Sequence, residues 1–144
     1  MREIKVQEIT AAVSKLCKDS CYYLPEELLE KLKASIATEE SPLGQEILTT
    51  IVENAELAKA KDVPICQDTG LTVVFMEIGQ DVHIVGNLEE AVNEGVRQGY
   101  TEGCLRKSVV RDPLDRVNTT DNTPAMIYYC LLYTSPSPRD PKTS

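Results

Sequence analysis

Cys66, Gln67 and Asp68 stand side by side in the heptapeptide Pro64-Ile65-Cys66-Gln67-Asp68-Thr69-Gly70. One short loop thereby carries a soft metal ligand, an amide and a carboxylate. It follows a long helical pattern and precedes the β-forming run Leu71-Thr72-Val73-Val74-Phe75-Met76-Glu77-Ile78. In α/β architectures, loops at the mouth of a strand carry chemistry more often than the elements they connect. A thiolate there suits an iron–sulfur centre, or serves as a nucleophile if a base lies nearby. The one histidine, His83, falls in a second predicted strand, where a surface or satisfied role is the simpler reading. Asp68 and Gln67 suit proton transfer and the orienting of a carboxylate or hydroxyl. Asp-Thr-Gly is equally good turn chemistry, and the residue types leave those two readings level.

Arg106 and Lys107 are adjacent cations after a helical pattern that ends in glycine. Such a pair is able to clamp a dicarboxylate, Arg by a bidentate fork and Lys as a point charge, although most pairs of this kind are simply solvated. The run Asn118-Thr119-Thr120-Asp121-Asn122-Thr123-Pro124 is dense in side chains that bond to their own backbone, and its spacing assigns it no role. The five cysteines, Cys17, Cys21, Cys66, Cys104 and Cys130, are odd in number and irregularly spaced. That argues against a disulfide framework. Cys17 and Cys21 read as half-buried small apolar residues near a helix end. Spacing alone completes no metal site.

The elements that must position these groups are legible from periodicity. Residues 3–61 read as three helices. Val6, Ile9, Val13 and Leu16 line one face of the first, and Leu28, Leu32 and Ile36 recur four apart in a second opened by Pro25. Ser41-Pro42 is an N-cap with a first-turn proline, and Leu43, Ile47 and Ile51, with Leu48, Ala55 and Ala58, carry that third helix to Lys59-Ala60-Lys61. These apolar stripes are expected to be core. Leu71–Ile78, the turn Gly79-Gln80-Asp81 and Val82-His83-Ile84-Val85 predict a β-hairpin. Asn87 with Glu90 three residues on starts another helix, and a strand begins at Ala125. The expected fold is mixed α/β (α+β): an N-terminal three-helix layer, then a hairpin, a helix and a further strand of an incomplete sheet.

At 144 residues the chain is about one domain long. A net charge of −8 and no basic stripe make nucleic acid an improbable partner. No run approaches the ~18 apolar residues of a membrane span, and Met1–Lys5 lacks the apolar core of a signal peptide, so the expected address is cytoplasmic. Composition shifts at Cys130 into a segment with three of the eight prolines. Residues 130–144 resemble translated sequencing-adaptor read-through rather than a native linker, so the expected genuine part is 1–129.

Together these segments resemble the N-terminal part of class I fumarase, in the iron–sulfur hydro-lyase family that includes the α subunit of L-tartrate dehydratase. The resemblance is carried by Pro64–Gly70, by Val74 through Ile84, by Leu105-Arg106-Lys107-Ser108-Val109-Val110, and by Asp112-Pro113-Leu114 through Asp121-Asn122-Thr123-Pro124-Ala125. It implies a [4Fe–4S] cluster held by three cysteines, with one iron open to act as a Lewis acid on a 2-hydroxy acid. Cys66 matches the first ligand. Asp68 matches an active-site carboxylate for substrate binding and proton transfer, and Gln67 and Arg106 match positions that hold the dicarboxylate. The implied reaction is reversible hydration of fumarate to L-malate, as in the tricarboxylic acid cycle, with tartrate dehydration the close rival. A β subunit and a homo-oligomer are the implied partners.

The family's other two cluster cysteines belong to a later glycine-rich portion, so this chain alone is expected to be inactive. Its last strand and the apolar faces beneath it are expected to lack partners. Thr120 stands where the family commonly has glycine. Two readings from other classes compete: a non-catalytic interaction module, and a redox protein using Cys66.

Overall fold

The computed structural model describes residues 2–132. In chain order the elements are β1 (Arg2–Lys5), α1 (Val6–Tyr22), α2 (Glu26–Thr38), α3 (Pro42–Lys61), β2 (Val73–Gly79), β3 (Val82–Val85), α4 (Leu88–Glu102) and β4 (Met126–Leu132). The mixed α/β class is as expected.

Local chemistry sets the helix ends. Ser41 Oγ accepts from the Gly44 amide at 3.3 Å with Pro42 in the first turn, and α3 stops at Asp62, whose φ is +53°. Lys59 and Lys61 sit against its negative end. Asn87 Oδ1 caps α4 by accepting from the Glu90 amide at 3.1 Å.

The centre of the molecule is the pair α1/α4. Val13, Cys17 and Tyr22 meet Val92, Val96, Tyr100 and Leu105, and Val74, Met76 and Ile127 close the cluster from β2 and β4. The approach of the helices depends on Gly95 and Gly99. A Cβ at Gly99 would fall 2.8 Å from the Ser14 carbonyl oxygen and 2.9 Å from Cys17 Cβ. Thr10 Oγ1 donates to the Ala91 carbonyl (3.0 Å) and the Tyr22 hydroxyl to that of Gly103 (2.9 Å), fixing the register at both ends.

Three details differ from expectation. The two consecutive strands and their Gln80-Asp81 turn are present, but no hairpin ladder joins them. β2 pairs in parallel with β4, from Val73↔Met126 to Gly79↔Leu132, and β3 pairs in parallel with β1, from Arg2↔Val82 to Lys5↔Val85. A turn dictates where strands stop, while these ladders are chosen by contacts distant in sequence. β1 itself, Arg2-Glu3-Ile4-Lys5, is too short and polar to announce a strand.

The apolar stripe of the third helix is also only partly core. α1 packs on α4, whereas α2 and α3 pack on each other. Leu43, Ile47 and Ile51 are exposed, while Ala55 and Ala58 of the expected stripe are buried together with Val52.

The shift in composition at Cys130 does not interrupt β4, where Cys130, Leu131 and Leu132 pair with Glu77, Ile78 and Gly79. Residues 133–144 of the expected foreign tail lie outside the described residues. Among the described residues no helix is long and apolar enough to cross a membrane.

Candidate functional site

The heptapeptide is an irregular loop held from several sides. The Ile65 amide donates to the Cys21 carbonyl at 3.0 Å, and Asn54 Nδ2 donates to the Ile65 carbonyl at 2.9 Å. The Tyr100 hydroxyl donates to the Thr69 carbonyl at 2.7 Å. Gly70, at φ +60°, takes a conformation that side chains resist, and its carbonyl accepts from Asn122 Nδ2 at 3.2 Å. The loop is thus fixed by α1, α3, α4 and the polar loop before β4.

Thr69 links it to the second cluster of candidates by donating its hydroxyl to the Arg106 carbonyl at 2.9 Å. Between the two segments lies a cavity of about 520 Å³ lined by Pro64, Cys66, Gln67, Thr69, Cys104 and Arg106. Three of the residues singled out from sequence, Cys66, Gln67 and Arg106, therefore share one concavity. Asp68 is exposed on the same loop but does not line it; its carbonyl oxygen lies 3.5 Å from Cys66 Sγ. Lys107 also lies outside the lining, and its carbonyl accepts from Asn118 Nδ2 at 2.9 Å. His83 is exposed on β3, away from the cavity. A larger groove of about 1050 Å³ between α1 and α4 contains no heptapeptide residue and no cysteine.

Sequence reasoning missed Cys104 and Asn122. Cys104 follows Gly103 at φ +51°, and this left-handed turn brings its residue to the cavity. Asn122 is fully buried, also left-handed at φ +63°, and its Oδ1 accepts from the amides of Ser108 (2.7 Å) and Val109 (3.1 Å). The only prior signal was the density of Asn, Asp and Thr in that loop. Both site loops enter at the amino ends of the parallel strands β2 and β4. Open parallel sheets generally bind ligands at the opposite, carboxyl end.

Cys17 and Cys21 are electrostatically unlike an activated cysteine. Burial pushes the Cys17 thiol up. Burial also pushes Cys21 up, and the neighbouring Cys66 adds to that effect while the Ser20 hydroxyl opposes it. Chemically, the cavity offers two exposed cysteines, Cys66 and Cys104, an amide and a guanidinium, which suits an anionic ligand with a second, softer point of attachment. Among the described residues, however, no three His, Cys, Asp or Glu side chains are grouped to hold a metal ion. A cluster bound by three protein thiolates does not fit the donors these residues assemble on their own.

The sequence that builds this site matches a known family. The chain belongs to the fumarate hydratase (Fumerase) family, whose model matches residues 10–135. Among curated proteins it is similar to the Methanocaldococcus jannaschii protein named "Putative L(+)-tartrate dehydratase subunit alpha", with 34% identity over 117 residues, 80% of this chain and 41% of that one. It is also similar to the L(+)-tartrate dehydratase subunit alpha of Escherichia coli K12, with 29% identity over 118 residues, 82% of this chain and 39% of the relative. The Shigella boydii protein of the same name matches to the same extent. The chain spans about two fifths of the length of these relatives.

Proposed function

We propose that this chain is the N-terminal portion of a cytoplasmic hydro-lyase that adds or removes water at a small dicarboxylate, interconverting fumarate and L-malate. Supporting this reading is one observation above others: in a chain matched to the family over residues 10–135, Cys66, Gln67 and Arg106 line a single cavity. In this reading Arg106 and Gln67 bind and orient the two carboxylates of the substrate. Asp68, on the same loop, takes part in substrate binding and proton transfer, which requires it to turn toward the cavity when substrate is bound. Cys66 supplies one thiolate to a [4Fe–4S] cluster whose other ligands come from polypeptide that this chain does not contain. Residues 1–129 belong to the catalytic domain, and 130–144 are foreign to it.

A second substrate is favoured by a specific observation. The relatives described above bear the name tartrate dehydratase subunit alpha, so tartrate dehydration with a β subunit as partner is the alternative. L-malate and tartrate are both dicarboxylates with a hydroxyl next to a carboxylate, which the same Arg106 and Gln67 pair would hold.

The test is to follow the reading frame in the source DNA past the codon for Tyr129, express the resulting polypeptide anaerobically and reconstitute it with iron and sulfide. Iron content and turnover of fumarate, malate and tartrate are then measured for the parent, Cys66→Ser and Arg106→Lys. The expected result is loss of iron in Cys66→Ser, and in Arg106→Lys a raised KM with iron retained. A parent that takes up no iron would overturn the reading in favour of a non-catalytic interaction module.

A further inference from the structure

The β2–β4 sheet has a covered face and an uncovered one. Val74, Met76 and Ile127 point to the α1/α4 cluster. The alternate positions form the opposite row: Val73 beside Met126, Phe75 beside Tyr128, Glu77 beside Cys130. This row is exposed, with Phe75 at 78% and Tyr128 at 55%, and their rings stack at 5.2 Å. Leu16 and Leu71, also exposed, extend it into a cavity of about 470 Å³ between α1 and the start of β2. Parallel strands are normally covered on both faces, because every crossover between them lays a helix on the sheet. Here α4 supplies the cover on one face only.

We propose that the uncovered face seats an amphipathic helix from the polypeptide that the relatives carry outside the matched stretch. The inference rests on the reading of this chain as a portion of a longer hydro-lyase. Two observations choose that occupant over a second copy. The relatives are about two and a half times as long as the stretch this chain matches, so the family possesses chain to place there. Glu77 closes the row beyond Phe75, so a two-fold contact between copies would bury two uncompensated carboxylates in one apolar interface in a protein of net charge −8. The occupant therefore presents an apolar stripe to Val73, Phe75, Met126 and Tyr128 and a basic residue to Glu77. It packs as helices pack on sheets elsewhere.

The test places the photo-cross-linking residue p-benzoylphenylalanine at position 75, at 128 or at the control position 114 of the 144-residue chain; Leu114 is 93% exposed in the polar loop. Each is irradiated with the part of the Methanocaldococcus jannaschii relative that lies outside the match, and adducts are mapped by mass spectrometry. The expected result is cross-linking to one segment of that part from 75 and 128 and none from 114, with the yield cut by Glu77→Lys. Adducts between two copies of this chain would overturn the proposal, as would no adduct, or equal adducts from all three positions. Because the readout needs no iron, absence of hydratase activity in the reconstituted longer polypeptide, with these adducts intact, removes only the catalytic reading. The converse removes only the docked helix.

Discussion

Asn122 and Gly70 lie 52 positions apart, yet the Asn122 side-chain amide donates to the Gly70 carbonyl at 3.2 Å. The same side chain accepts from two amides of the Ser108-Val109 segment, so one buried residue ties the Cys66 loop to the Arg106 loop. Asn122→Ala would leave two amides without partners and the Gly70 carbonyl with only the longer bond from the Tyr100 hydroxyl at 3.4 Å. At a cost of about 1–3 kcal/mol for an unsatisfied buried group, the expected loss is roughly 3 kcal/mol, measured by urea unfolding. Asn122→Asp keeps the acceptor and loses the donor. It should fall between the parent and Asn122→Ala; equal stability of all three would show that the bonds do not hold the loops.

A second prediction concerns the helix pair that carries Tyr100 to the heptapeptide. Gly99 faces α1 so closely that an added Cβ would lie 3.2 Å or less from Ser14 backbone atoms and from Cys17. Because backbone cannot swing aside, Gly99→Ala should destabilise by about 1–3 kcal/mol despite the better helix propensity of alanine. Gly79→Ala, whose Cβ would meet only Val82 at 3.8 Å, is the steric control. Thermal unfolding of the two variants decides: a Gly99→Ala protein no less stable than Gly79→Ala would refute close packing of α1 on α4.

The contrast between Gly99 and β1 shows what a sequence discloses. The helices and their caps at Ser41 and Asn87 are local events, written in adjacent residues, and they occur where the pattern places them. The mixed α/β class follows from the change of period after Lys61. Strand partners are long-range choices, so Val73–Gly79 and Val82–Val85 could be read as strands but not as members of different sheets. The chemical residues Cys66, Gln67 and Arg106 were visible by type, whereas their shared cavity depends on a Thr69–Arg106 bond across 37 positions. Asn122 was hidden because its neighbours Asn118 and Asp121 look alike in sequence and only Asn122 is buried.

Thr120 illustrates the reverse, a local misfit with a local remedy. Glycine was expected there, and the residue sits at φ +68° with its amide donating to Asn118 Oδ1 at 2.6 Å. A β-branched side chain is strained in this left-handed region. Thr120→Gly should relieve about 1 kcal/mol, partly offset by the greater freedom of glycine in the unfolded chain. A rise in the unfolding midpoint is the expected outcome. A fall would mean that the Thr120 side chain contributes more than its backbone costs.

Acid should loosen the same loop through Asp121. Partial burial works to raise its carboxyl, but the Thr123 hydroxyl (2.7 Å) and amide (3.0 Å), with the Arg97 guanidinium at 3.1 Å, outweigh it and bring the group down to about 2. The unfolded chain regains a value near 3.8. A carboxylate whose folded value is depressed adds stability that is fully present above the unfolded value and lost as pH falls through the folded one. The window is therefore from about pH 4 down to about pH 2. Arg97 is nearly half exposed, so solvent screening reduces the contribution to the order of 1–2 kcal/mol. Asp112 is also held below its ordinary value, by the amides of Asp115 and Leu114, but is fully exposed, which makes Asp112→Asn the comparison. Asp121→Asn should lower stability at neutral pH and flatten its decline between pH 4 and 2. Since Asp121 precedes Asn122, protection of the Ser108 and Val109 amides from hydrogen exchange should fall in the parent over that interval. Amide protection that stays constant from pH 4 to 2, after correction for intrinsic exchange, would disconnect Asp121 from the loop.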